Sequence, residues 1–467
     1  MSRRAVFLNT LAVGLASAVL AANADHATAD EQKAAGDQEA EAMPEGLLPV
    51  PDYSGDFASR SYLTGDWNGT RSRLAERGFQ INLESTSWAD GFVDGGERSN
   101  TRGGGNLTLD LNWDLMRAGI LPGALLSLRA ESRWGDSGNF STGQAIPPNT
   151  AALTPTNYSA MDDGYDLALT QLNYTQFVST KLGFTVGKLD LFGTGDFNEF
   201  AGGRGKTQFM NWSLNYGTPT LAVPASTLGV GAIYIPNENT LVTALLTSAT
   251  ECVNNNCFDD LEDNGGAAIG SVAYQYNMGG LPGGVNGQAV YFFDTDFPQL
   301  DSVTFSLRDA IAGDGPADGL DFGKKNDSWI VGGSVWQYLS VKGSTPQGPL
   351  NLTDQVPDLR GYGLFGRLYF ADKDTNPWKT SVALGLGGRG IFDSRPNDLF
   401  GLGYYYNDQS STTLFSDRVD DSEGFEAFYN FAITPAVRFS TNLQYLKASN
   451  PNVDDTTLLS ARLQIKF

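Results

Sequence analysis

Arg129, Glu131 and Arg133 occupy every second position of a stretch whose other members are Leu126, Leu128, Ala130 and Trp134. In an extended chain alternate side chains point the same way, so the three charges share one face. A guanidinium offers donors in a fixed fork and a carboxylate offers acceptors, which together suit a solute rich in hydroxyls. Asp110 and Asp114 fall on the polar face of the preceding alternating segment, where they could pair with those arginines. The same residues would also suit an ion-pair ladder that only stiffens a wall, and the sequence leaves both readings open. Arg367, Arg389, Arg438, Arg462 and Lys466 place further cations at polar positions of later segments.

Enzymatic chemistry finds little support. The one histidine is His26, near the start of the chain, so the commonest general base and metal ligand is missing from the rest. Gly202-Gly203-Arg204-Gly205-Lys206-Thr207 ends like a phosphate-binding loop, but Phe200 stands where that loop needs its first glycine. Cys252 and Cys257 are the only cysteines. Two more ligands would be needed for a structural zinc site, and a redox pair normally spaces its cysteines by two residues rather than four. An exported protein would use such a pair as a local disulfide pinning a loop. No metal, cofactor or catalytic residue is expected. The net charge of -22 excludes nucleic acid as a partner.

The elements that carry these residues repeat one theme. Leu107, Leu109, Leu111, Trp113 and Leu115 point one way, and Asn106, Thr108, Asp110, Asn112 and Asp114 the other. Val437 to Tyr445 alternates in the same manner, and so does Leu459 to Phe467. Sixteen such segments can be marked out: 79–88, 104–115, 123–134, 166–178, 182–190, 226–235, 240–248, 267–276, 287–294, 328–338, 358–370, 378–389, 398–407, 424–433, 436–446 and 457–467. Charges at strand centres, opposite an apolar stripe, fit a wall with lipid outside and water inside. The expected fold is all-β: a transmembrane antiparallel β-barrel of about sixteen strands, with a short helical segment near 67–77 capped by Asp66 and stopped by Gly78. Long connections should then fall on the extracellular side, as 135–165, 191–225 and 295–327 do; 339–357 breaks that parity. Residues 135–165 and 191–225 are long enough to fold inward and narrow the lumen. Phe209, Trp212 and Tyr216 there could stack on a solute or pack the loop on the wall.

Leu63-Thr64-Gly65-Asp66-Trp67-Asn68-Gly69-Thr70-Arg71, with Leu74 and Gly78 beyond it, resembles the opening of the carbohydrate-selective porins of the OprB type. Asn68 replaces the usual first glycine of that motif. Asn397-Asp398-Leu399-Phe400-Gly401-Leu402-Gly403-Tyr404-Tyr405, Glu423 to Tyr429, Ile433-Thr434-Pro435 and Leu443-Gln444-Tyr445 are similar to later motifs of the family, in its order. The resemblance covers about Tyr62 to Phe467. It implies a water-filled lumen that admits small sugars passively, with outer-membrane lipid around it. Strand-final Phe467 resembles the handle by which barrel assembly machinery receives such chains. A general or anion-preferring porin, and a barrel that anchors an enzyme or adhesive loops, are the alternatives.

At the N-terminus, Arg3 and Arg4 precede an apolar run from Ala5 to Leu20, and Ala22-Asn23-Ala24 supplies small residues for cleavage. Residues 1–24 therefore read as a signal peptide, too short in its apolar core to span a bilayer. Residues 25–60 read as an acidic, disordered leader and 61–467 as the barrel.

Overall fold

The alternation becomes a closed wall. The computed structural model describes residues 45–467 apart from 98–100, 136–141, 143–166, 194–196, 254–256, 259–264, 306–319, 346–349, 351–355 and 411–419. Sixteen antiparallel strands form the barrel. They are β1 (Phe79–Asp94), β2 (Arg102–Asp114), β3 (Ala124–Gly135), β4 (Ala168–Phe177), β5 (Leu182–Asp190), β6 (Ser226–Asn237), β7 (Thr240–Ser248), β8 (Gly266–Met278) and β9 (Leu281–Phe293), then β12 to β18. The second group is β12 (Ser328–Val341), β13 (Gly361–Ala371), β14 (Trp378–Arg389), β15 (Leu399–Gln409), β16 (Ser422–Thr434), β17 (Val437–Leu446) and β18 (Thr456–Lys466). Neighbours in sequence pair with one another, and β1 pairs with β18 to close the seam, Ser87 opposite Leu463. β9 pairs directly with β12, so the hairpin β10 (Phe297–Phe305) and β11 (Leu320–Lys325) stands outside the ring. That hairpin lies within the connection 295–327, which the sequence reading left without strands.

Burial is inverted relative to a soluble protein. Leu246, Val272, Leu364, Leu402 and Leu459 are exposed on the outer face, while Asn106, Thr108, Asn112, Glu426, Asn442 and Gln464 are buried on the inner one. This is the arrangement a hydrocarbon solvent imposes, because strands can cross lipid only with every backbone group paired around a closed ring. No helix among the described residues is long and apolar enough to cross a membrane.

The expected helix forms as α1 (Thr70–Glu76), three residues later than predicted. Trp67, Asn68 and Gly69 all take positive φ (49°, 56° and 81°), which no helix can include. Asp66 still receives a first-turn amide, Ser72 N at 2.7 Å, and Ser72 Oγ at 2.8 Å. Gly78 ends the helix at φ 86°, where a Cβ would meet the Asp114 carbonyl at 2.3 Å. Arg71 links this segment to the seam, donating to the Phe467 carbonyl (2.8 Å) and the Ile81 carbonyl (2.6 Å) while stacking between Tyr53 and Tyr62. Residues 45–60, read from sequence as part of the leader, include the buried Leu47, Leu48 and Tyr53. The connection that broke parity, expected at 339–357, runs from 342 to 360, joins β12 to β13 at the same end of the barrel as α1 and buries Leu350.

Candidate functional site

The lumen is organised around the connection 191–225, which leaves β5 and turns inward. It is built of short helical turns at Leu191–Gly193, Gly203–Gly205 and Thr218–Ala222, with one α-turn, α2 (Trp212–Asn215). Asn211 caps α2 by accepting Ser213 N at 2.9 Å. Short turns of this kind suit a chain rich in Gly, Asn and Thr, whose local hydrogen bonds replace a long helix.

Two different walls hold the loop. On one side Arg129 lies between two aspartates, Nε to Asp110 Oδ1 at 2.7 Å and Nη1 to Asp190 Oδ2 at 2.6 Å. Arg204 of the loop reaches both oxygens of Asp190 at 2.8 Å. Beside this chain of four charges, Lys206 of the loop meets Glu84 at 2.8 Å and Thr108 Oγ1 at 3.0 Å. Glu131 accepts from Thr108 (3.3 Å) and Thr170 (3.0 Å). Charges this well buried are tolerable only because each finds a partner.

The opposite wall is aromatic. Phe200, Phe209 and Leu214 of the loop pack on Trp336, Tyr338, Phe365, Tyr405 and Phe428. Phe209 meets Phe428 edge-on at 4.9 Å between ring centres. Around this patch the wall grips the loop backbone with both polarities. Arg462 donates to the carbonyls of Gly205 and Gln208, and Arg367 to those of Leu214 and Ala201. Glu426, with no exposed surface, accepts Met210 N at 2.8 Å, Asn211 N at 2.9 Å and Asn442 Nδ2 at 2.6 Å. Below, Glu199 Oε1 receives the Tyr338 hydroxyl (2.5 Å) and Asp358 N (2.8 Å), tying the loop to the connection 342–360.

The residues singled out from sequence divide accordingly. Arg129, Glu131 and Asp110 do face inward, but Arg129 and Asp110 are joined in a buried pair and Glu131 is held by two threonine hydroxyls; Arg129 is 1% exposed. The ladder reading describes them better than the solute-contact reading. Arg133 lies apart, half-buried near the end of β3 opposite Asn106. Asp114 belongs to a different place altogether: its Oδ2 receives Leu47 N (2.7 Å) and Leu48 N (2.9 Å) at the far end of β2. Arg438 and Arg389, expected as lining charges, donate to the carbonyls of Asn397 (3.1 Å) and Pro357 (3.2 Å). Phe209 and Trp212 pack the loop rather than standing free, Trp212 resting 4.9 Å from both Phe192 and Tyr216. Most of the connection 135–165 lies outside the described residues. Cys252 and Cys257 are buried thiols within hydrogen-bonding reach of each other.

Glu84, Asp190, Arg204, Lys206 and Glu426 were not singled out as lumen residues, Arg204 and Lys206 having been noted only in the rejected phosphate-loop pattern. Alternation alone places Glu84 and Glu426 on the inner face, and Asp190 marks the last strand residue before the loop; the loop's own cations carry no periodic signal.

A sealed sixteen-stranded barrel, apolar outside and polar inside, with a long connection folded into its lumen, is a porin-type outer-membrane barrel. Residues 99–467 match the model of the carbohydrate-selective porin, OprB family, and the chain belongs to that family. It is 25% identical over 465 residues to the putative porin QuiX of Acinetobacter baylyi, covering 88% of this chain and 95% of that one. To Porin B of Pseudomonas aeruginosa it is 25% identical over 448 residues, covering 87% and 91%. Among solved structures, the high-pH form of OprB from Pseudomonas putida superposes with a TM-score of 0.69 at 19% identity, over 88% of this chain and all of that one.

Proposed function

We propose that this protein lets small carbohydrates diffuse down their gradient across the outer membrane, through a lumen narrowed by the loop 191–225. The observation that carries the reading is the double attachment of that loop. Paired charges hold it on one wall and an aromatic patch with backbone clamps holds it on the other, so the constriction has a fixed width. Fixed width is what sieves solutes by size without a tight binding step. The paired charges matter as well. With Arg129, Arg204 and Lys206 each buried against a carboxylate, these three cations offer an anion little attraction. A neutral, hydroxylated solute suits this wall better than an anion. Members of this family are channels. That the chain also lacks catalytic activity is our reading of its missing base and nucleophile pair. Export through residues 1–24 and delivery to assembly machinery through Phe467 complete the proposal.

Planar-bilayer recording tests it. Purified protein should form steady ion-conducting pores whose current falls as glucose or a disaccharide is added. Silence at high protein dose would refute the channel and favour a barrel that serves only as an anchor.

A further inference from the structure

The cysteine motif has its place in the fold next to the hinge of the constriction loop rather than at a free loop tip. Directly after β7 the chain makes a turn through Glu251, Cys252 and Val253. Glu251 Oε2 accepts Ala225 N at 2.5 Å, and its Oε1 accepts Ser226 N at 3.3 Å and Val253 N at 3.1 Å. Ala225 and Ser226 are where the constriction loop returns to the wall as β6. Cys252 N donates to the Ser226 carbonyl at 2.8 Å, doubling the attachment. Lys188 of β5 donates to the Cys252 carbonyl at 2.5 Å. Val253 belongs to one buried cluster with Phe192, at the start of the loop, Trp212 at its middle and Ala225 at its end. One turn of a second connection therefore bonds directly to the end of the constriction loop and shares a buried cluster with its beginning and middle. Cys252 and Cys257 are 1% and 2% exposed, and both belong to this connection.

We propose that Cys252 and Cys257 form a disulfide that locks this turn as an outer latch on the constriction loop, with Glu251 as its positioning residue. In the closing reaction each thiol gives up its proton. The two sulfurs together pass two electrons to the disulfide of an exported thiol–disulfide exchange partner, which leaves as a dithiol. The ring closed is short, so its effect on the unfolded chain is small. Its consequence is local: it removes the turn's freedom to swing Glu251 away from Ala225 and Ser226. The inference rests on the porin reading only in taking the loop 191–225 as the constriction.

The test is single-channel recording on the exported barrel, with disulfide content fixed beforehand by non-reducing mass spectrometry. Dithiothreitol on the extracellular side should increase open-channel noise and weaken disaccharide block by between about twofold and tenfold, the range one ordinary hydrogen bond is worth. Cys252→Ser/Cys257→Ser should show the reduced behaviour from the start and ignore the reductant. Glu251→Ala should match it even when oxidised, and Glu251→Gln, which keeps an acceptor, should recover part of the quiet behaviour. Heat-modifiable gel mobility confirms that each variant is a folded barrel. Free thiols in exported protein would overturn the proposal, as would unchanged noise and block after verified reduction. If the wild type conducts ions but passes no sugar, the carbohydrate reading fails while noise still tests the latch.

Discussion

Replacing Arg129 with methionine removes the cation that lies between Asp110 and Asp190 while keeping most of the side chain's volume. If the lumen wall were simply wetted, the loss would cost little, since an exposed ion pair is worth about 0–1 kcal/mol. The geometry argues otherwise. Arg129 is 1% exposed and holds both aspartates at 2.7 Å and 2.6 Å. Stranding a buried charge by deleting its partner costs roughly 3–5 kcal/mol. Asp190 keeps Arg204 at 2.8 Å, so the damage concentrates on Asp110, and we expect the lower end, about 3 kcal/mol. Adding Asp110→Asn removes the stranded charge and should return at least half of the loss, a coupling that a double-mutant cycle reads directly. The assay is urea unfolding in lipid vesicles, followed by heat-modifiable gel mobility and tryptophan fluorescence; Trp212 reports on the loop. A cost below about 1 kcal/mol, or additive single and double variants, would refute the buried-pair account.

Three further outcomes follow from the same contacts. Glu426→Gln leaves Met210 N and Asn211 N without a charged acceptor, and hydrogen bonds to charged groups are worth about 1.5–3 kcal/mol; single-channel recordings should show a wider, noisier pore in a barrel that still folds. Phe209→Ala opens a hole in the patch between Phe365 and Phe428, at about 3–5 kcal/mol for a fully buried ring, and trypsin should then cut within the loop, where it leaves the wild type intact. The outer latch should depend on pH. Burial pushes the Glu251 carboxyl up to about 7, against the pull of the Ala225, Ser226 and Val253 amides, with Lys188 as the ionisable neighbour once the two thiols are joined. A raised carboxyl favours the closed form below its ordinary value of 4.5 and loses that advantage as pH climbs to about 7. Amide-exchange protection at Ala225 and Ser226 should therefore fall between those values and level off above, and Glu251→Gln should flatten the profile.

Strand positions were legible because two-residue alternation is imposed by lipid on one face and water on the other, and it survives in most of the wall. β9 begins at Leu281, six residues before the predicted 287, because its early part is Gly283 and Gly284, which carry no apolar signal. Both are small for a reason visible only in three dimensions: a Cβ at Gly284 would strike the Trp336 indole at 2.6 Å. The hairpin β10–β11 stayed hidden within a long connection, outside the ring whose two faces impose the alternation. The inner face was legible as polar, but its division of labour was not. Arg129, Arg367 and Arg462 look alike in sequence, each a cation on an inward position. One meets two aspartates and the others meet loop carbonyls. Asp110, 19 residues from Arg129 on the neighbouring strand, was within reach of the alternation, but the other partners lie 61 residues from Arg129, 153 from Arg367 and 257 from Arg462. No local pattern encodes such partners.

Liposome swelling tests the central claim most directly, because it reads solute passage itself. Vesicles holding the purified barrel should swell fastest in glucose, more slowly in a disaccharide, and more slowly in phosphate than in glucose, since Arg129, Arg204 and Lys206 at the constriction are already matched by carboxylates. Phosphate entering as fast as glucose would contradict the account and mark an anion-preferring pore; rates ordered by size alone would remove any selectivity for sugars.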